Sequence, residues 1–201
     1  MTEVMIVDTG VANTASIRTM FSRLGASSRL TQSAEDVADA PVLVLPGVGA
    51  FAAGMELIER CTLTEPLRER ITLGRPTLCV CLGLQVLFES SQESPGVAGL
   101  GVVSGEIVEF PDGVVRPQFG WNLVSREADG ELGYAYFANS FYAAHASEDW
   151  SISWSEHGMR FIAAMQRDGV LACQFHPELS GRFGHGVVEA WWRSIGVETA
   201  C

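Results

Sequence analysis

Along the first half of the chain, apolar and polar positions switch repeatedly between two periods. Val4-Met5-Ile6-Val7 is an unbroken apolar run, the pattern of a strand covered on both faces. Over Thr14–Leu24, residues Ile17, Met20, Phe21 and Leu24 fall on one helical stripe, and Gly25 supplies the stop. Ser28–Thr31 reads as a second strand and Ala34–Ala40 as a short helix. Pro41-Val42-Leu43-Val44-Leu45 is the next buried strand, running out in the turn-rich Pro46-Gly47-Val48-Gly49. Helical periods return over Phe51–Cys61 and Thr64–Leu73. Thr77–Val80 predicts a further strand that leads straight into a helix over Leu82–Ser90.

Strands alternating with helices predict an α/β fold, an open and mostly parallel central sheet with flanking helices. Ligands bind such sheets beyond the carboxyl ends of the strands. Cys81 and the 46–49 loop both follow strand ends, which puts them on one rim. The second half changes character. Val102–Phe110, Gly120–Ser125, Tyr134–Phe137, Trp150–Ser155, Phe161–Gln166 and Val170–Phe175 read as strands joined by turns such as Asp112-Gly113 and Arg167-Asp168-Gly169. They predict an added antiparallel section, closed by a helix over Val187–Ile195. No linker, internal repeat or low-complexity segment divides the chain, so 1–201 reads as a single domain.

Two segments carry the candidate chemistry. In Leu78-Cys79-Val80-Cys81-Leu82-Gly83-Leu84-Gln85 a buried strand turns into a helix with Cys81 at the corner. Free N–H groups and the positive end of a helix dipole favour a thiolate there, and Gly83 allows close packing at a tight corner. In Gln174-Phe175-His176-Pro177-Glu178 a carboxylate stands two positions from an imidazole, on the same side of an extended segment. A nucleophile, a base and a carboxylate to orient the base are the parts of thiolate acyl transfer. The glycines of 47–49, with the N–H of Leu82, could form an oxyanion hole. That loop lacks the Gly-Lys-Ser/Thr ending of a phosphate-binding loop. Cys79, Cys81, Cys173 and His176 could also be written as a zinc set. Cys-x-Cys on a strand entering a helix lacks the usual knuckle turn, and Cys173 sits in an apolar strand, so no metal is expected.

Composition narrows the function classes. With 47% apolar and 18% charged residues in 201, the chain is globular. A formal net charge of −11 and the absence of any Lys/Arg-rich stretch exclude general nucleic-acid binding. No apolar run is long enough to span a bilayer, and no signal-peptide pattern opens the sequence, so no membrane role is expected. Five cysteines, at 61, 79, 81, 173 and 201, do not form a disulfide framework; a reducing, cytoplasmic setting fits them.

Taken together, the motifs resemble the class I (triad) glutamine amidotransferases over nearly the whole chain. Cys-x-Gly-x-Gln at 81–85 and His-Pro-Glu at 176–178 carry that resemblance. Ile6-Val7-Asp8-Thr9-Gly10 with Asn13, Leu45-Pro46-Gly47-Val48-Gly49-Ala50-Phe51, Gly120-Trp121-Asn122, and Tyr136-Phe137 with Ser140 resemble one branch, the glutaminase subunits of imidazole glycerol phosphate synthase. The resemblance implies a flavodoxin-like fold and the catalytic set Cys81, His176 and Glu178. It further implies an oxyanion hole from Gly47, Val48, Gly49 and Leu82, and glutamine contacts at Gln85 and Glu93. It implies L-glutamine as substrate and no cofactor. A (β/α)₈-barrel cyclase would be the heterodimer partner, facing Asn13, Trp121 and Asn122 and receiving ammonia for histidine biosynthesis. The chain departs from the branch's pattern at Cys79, Thr9, Ala12, Gln118-Phe119, Asn139 and Leu179. Two other readings share these motifs: a glutaminase serving a different synthase, and a silent scaffold that binds a barrel without hydrolysing glutamine.

Overall fold

Five parallel strands make the part of the sheet that carries the candidate chemistry. The computed structural model describes residues 2–126, 130 and 132–196. Among them the first half runs β1 (Glu3–Val7), α1 (Thr14–Arg23), β2 (Ser27–Thr31), α2 (Ala34–Asp39), β3 (Val42–Gly47), α3 (Phe51–Arg60), α4 (Thr64–Thr72), β4 (Thr77–Cys81) and α5 (Leu82–Gln85). The second half runs β5 (Phe88–Ser91), β6 (Val103–Glu109), β7 (Gln118–Arg126), β8 (Leu132–Asn139), β9 (Phe141–Ala143), β10 (Ser151–Glu156), β11 (Arg160–Arg167), β12 (Val170–Cys173) and α6 (Gly181–Ser194). A nine-stranded sheet has the order β2-β1-β3-β4-β12-β11-β10-β7-β8. From β2 to β12 neighbours are parallel. From β12 outward they are antiparallel. The predicted antiparallel section is therefore a continuation of the same sheet, with β12 as the hinge strand.

Alternation along the strands divides the interior into two cores. Val4 and Ile6 pack with Ile17, Met20 and Phe21 of α1 and Val188, Trp191 and Trp192 of α6. Met5 and Val7 pack with Val37 of α2, Phe51, Met55 and Ile58 of α3, and Leu67 and Ile71 of α4. Each helix presents residues three or four apart to one face of the sheet, as its sequence period requires. No helix of the described residues is long and apolar enough to cross a membrane.

The structure corrects three of the expectations. The helix expected over Leu82–Ser90 stops at Gln85, and Phe88–Ser91 is a strand. The chain there pairs with a later segment. Leu100 N–H donates to Val86 O, Val102 and Val103 N–H to Leu87 O, and Gly101 N–H to Phe88 O. These bonds, with the pairing of Phe88–Ser91 to the strand that follows, hold the chain beyond Gln85 against the returning segment in place of a further helical turn. Val102–Phe110 does not join the main sheet. It forms β6 in a small sheet of order β5-β6-β9, with β9 unforeseen. The closing helix begins at Gly181, six residues before the expected Val187. Three glycines in its first half hide it from a propensity reading. Gly184 is required there, because a Cβ would lie 2.4 Å from Pro177 O.

Candidate functional site

Cys81 ends β4 at φ +54°, ψ −110°, a conformation that costs a non-glycine residue about 1–3 kcal/mol. Tight packing on both sides holds it there. Gly47 of β3 is its register partner. A Cβ on Gly47 would meet Leu82 Cβ at 2.6 Å, and one on Gly83 would meet Leu45 O at 2.0 Å. Two glycines thus let α5 fold back directly over the end of β3. The left-handed turn also redirects the cysteine. Leu78 and Val80 face the α1/α6 core and Cys79 faces the opposite one, yet Cys81 joins the side of Leu78 and Val80. Cys79 therefore leaves the corner unobstructed. Burial pushes its thiol up to about 12 and the Cys173 thiol up as well, so both are packing residues. Among the described residues no group of three or more His, Cys, Asp or Glu side chains is arranged to hold a metal ion.

His176 follows β12, next to β4 in the sheet, and that adjacency carries it to the cysteine. Its backbone is braced against β8: His176 N–H donates to Tyr136 O at 2.9 Å, Ser180 Oγ–H donates to His176 O at 2.6 Å, and Tyr136 N–H donates to Ser180 Oγ at 2.9 Å. Glu178 Oε1 accepts from His176 Nδ1 at 3.0 Å, with both side chains more than nine-tenths buried. Nδ1 being engaged, Nε2 is the nitrogen left for the sulfur. Burial opposes charge on this imidazole. Hydrogen bonds to Cys81 and Glu178, and the charges of both, outweigh it and carry the His176 pKa up to about 10. A raised folded-state pKa means the charged imidazole's contribution to stability is complete below the ordinary 6.5 and is lost as pH rises through about 10. The melting-temperature gap between wild type and His176→Gln is therefore expected to shrink as pH is raised from about 6 to above about 10; a gap that widens with pH would contradict this pairing.

Cys81 and His176 line a common cavity of about 540 Å³, of a size usual for small-molecule sites. Of the other residues expected at the oxyanion hole and the substrate, Val48, Gly49, Leu82, Gln85 and Glu93 line it, whereas Gly47 does not. A larger cavity of about 770 Å³, between α6 and the antiparallel strands, is lined by neither Cys81 nor His176. Glu93 has a second occupation: its Oε2 accepts from Phe51 N–H at 2.6 Å, and Ser94 Oγ accepts from Ala52 N–H at 3.1 Å. The N-cap residue of α3 is Ala50, which has no capping group, so the 93–94 loop caps that helix from outside.

The expected partner-facing residues divide. Trp121 is 57% exposed, in line along β7 with the exposed Phe119 and Leu123; on β8 Tyr136 stands opposite Trp121, and the exposed Tyr134 stands opposite Leu123. Asn122 is tied down, its Nδ2–H donating to Glu156 O at 2.6 Å. Asn13 caps α1, its Oδ1 accepting from Ser16 N–H at 3.3 Å. It also lines a second cavity of about 240 Å³ that reaches His176 and Glu178 from the side of Val11 and Leu179.

One residue at the sulfur was not singled out from the sequence. Gln174 is wholly buried, and its Nε2 lies 3.7 Å from Cys81 Sγ. Its Oε1 accepts from Gln85 Nε2 at 3.1 Å, and Gln85 Nε2 also donates to Phe141 O at 3.0 Å. The available signal was a lone amide inside the apolar run 170–175, which must find partners when buried.

The family model for class-I glutamine amidotransferases matches residues 5–190. "Imidazole glycerol phosphate synthase subunit HisH" of Methanothermobacter thermautotrophicus is 40% identical over 191 residues, covering 92% of this chain and 95% of the relative. The subunit of the same name from Deinococcus radiodurans is 35% identical over 202 residues, covering 96% and 94%. The Arabidopsis thaliana protein named "Imidazole glycerol phosphate synthase hisHF, chloroplastic" is 39% identical over 195 residues, covering 92% of this chain and 33% of its own. A solved glutamine amidotransferase superposes with TM-score 0.77 at 18% identity, covering 96% of this chain and 99% of the other.

Proposed function

Because this chain belongs to the class-I glutamine amidotransferases, we infer that it is the glutaminase subunit of imidazole glycerol phosphate synthase, hydrolysing L-glutamine to glutamate and ammonia in histidine biosynthesis. One observation carries the chemistry: a strained cysteine and an imidazole held by a buried glutamate line the same cavity. Cys81 attacks the side-chain amide carbon of glutamine. N–H groups of Leu82 and the 47–49 segment take the oxyanion, and His176 protonates the departing ammonia. His176 then draws a proton from the water that cleaves the glutamyl thioester, and Glu178 keeps its Nδ1 engaged throughout. Gln85 and Glu93 hold the substrate. An assembled triad is poor support for a silent scaffold, which would have no need to maintain about 1–3 kcal/mol of strain at Cys81.

The ammonia acceptor is a cyclase partner, and a (β/α)₈ barrel docking on the apolar face of Phe119, Trp121 and Tyr134 fits the exposed residues best. The fused Arabidopsis relative supports coupling of two such units. The cavity from His176 toward Val11, Asn13 and Leu179 offers ammonia a way to that side. There it would yield imidazole glycerol phosphate and an aminoimidazole carboxamide ribotide. The whole 1–201 acts as one glutaminase domain, and the free thiols of Cys61, Cys79, Cys81 and Cys173 suit a cytoplasmic setting.

Glutamine turnover measured alone and with a barrel cyclase carrying its nucleotide ligand tests this reading. The expected result is low activity alone and a rise of about 10- to 100-fold in the complex. Trp121→Ala is expected to weaken association by about 2 kcal/mol or more, as for a buried aromatic anchor. Full activity without a partner, or an unchanged Kd in the variant, would count against it.

A further inference from the structure

We propose that Gln174 is the positioning residue for the nucleophile, its side-chain amide donating an N–H to Cys81 Sγ and holding the sulfur as a thiolate. The proposal rests on Cys81 being the nucleophile. It begins from the order of donors in a buried chain of three groups. Phe141 O is a backbone carbonyl and can only accept, so Gln85 must turn its NH₂ toward it. The same NH₂ lies against Gln174 Oε1 at 3.1 Å. Gln174 therefore has its oxygen committed to Gln85 and only its NH₂ left for the sulfur, 3.7 Å away. A fixed carbonyl thus sets the orientation of both amides, which would otherwise be ambiguous. With Gln174 wholly buried, neither amide is free to turn over to water.

The consequence concerns which form of the cysteine the site accepts. A thiol needs an acceptor for its hydrogen, whereas a thiolate needs donors. Gln174 offers Sγ a donor, and His176 offers a second in its imidazolium form. The helix that follows Cys81 cannot substitute for them. Having four residues, α5 sums few peptide dipoles, so the field at its start is small. Gln174 also stands between Gln85, which lines the substrate cavity, and the sulfur. A substrate that pulls on Gln85 is thereby felt at the nucleophile.

The test is the pH dependence of Cys81 alkylation by iodoacetamide, with the modified residue located by mass spectrometry, in wild type, Gln174→Met and Gln174→Glu. Methionine keeps most of the volume and removes the donor. The half-maximal rate is expected to move up by about one pH unit, the effect of losing one hydrogen bond to a charged group. Glutamine turnover in the partner complex is expected to fall about tenfold in kcat at neutral pH. If Gln174→Met does not fold, Gln174→Glu keeps the shape and the acceptor for Gln85 while setting an acid beside the sulfur, and its profile is expected to move the same way. An unmoved profile in a folded variant overturns the proposal. Cys81→Ala separates the two readings. Retained hydrolysis there overturns the nucleophile assignment itself, whereas an inactive Cys81→Ala with an unmoved Gln174→Met profile overturns the Gln174 assignment alone.

Discussion

Cys81→Ala is expected to abolish glutamine hydrolysis, lowering kcat by about 10⁴-fold or more, the scale seen when a covalent nucleophile is removed. The size follows from how the site divides its work. His176 and Glu178 act on the proton of the departing ammonia and on the attacking water; the first step needs the sulfur's tetrahedral adduct and the second needs the thioester. Removing the sulfur therefore removes the function of the other two. The fold should tolerate the change, since alanine carries the same Cβ and adds no backbone strain at φ +54°, and the corner is held by Gly47 and Gly83. Ammonia supplied directly to the partner complex should still be consumed at the wild-type rate, because that route bypasses the sulfur. Cys79→Ala is the matched control: two residues away, facing the opposite core, it removes only packing. Turnover in Cys81→Ala above about 1% of wild type would mean that another group attacks the amide.

Gly83→Ala is expected to destabilise the protein by about 3 kcal/mol or more, on the scale of severe overpacking. The new Cβ would lie 2.0 Å from Leu45 O, a backbone atom fixed in the parallel ladder between β3 and β4. Neither side can give way without pulling Gly47 from its register with Cys81. Urea unfolding midpoints measure the loss. Gly186→Ala in α6 is the contrast: its Cβ would meet nothing within 4 Å, and it should raise stability by about 0.5–1 kcal/mol as an exchange within a helix. If Gly83→Ala cost no more than a typical surface change, the corner would be looser than its geometry implies, and Cys81 would have no reason to remain strained.

Much of this protein could be read along one dimension. The alternation of Val4, Met5, Ile6 and Val7 between two cores, the stripe of Ile17, Met20 and Phe21, and the corner at Cys81 each follow from a short stretch of chain. What escaped reading depends on distant chain. The chain after the short helix at Cys81 turns into a strand, with Leu100, Gly101, Val102 and Val103 bonded to the carbonyls of Val86, Leu87 and Phe88. Asn122 is tied down because Glu156 O waits on the neighbouring strand β10. Glu93 is drawn into capping α3 because Ala50 cannot do so.

The amino-acid order by itself determined the parallel half of the sheet, the residue types of the triad and the glycines that permit the corner. Those are matters of local sterics, hydrophobic period and side-chain chemistry. Only the tertiary structure decided that β12 lies beside β4, bringing His176 and Gln174 within reach of a sulfur about ninety residues earlier in the chain. The physical reason is that strand order and the direction of a buried amide are fixed by hydrogen bonds between remote segments. Such bonds form only once the sheet has closed.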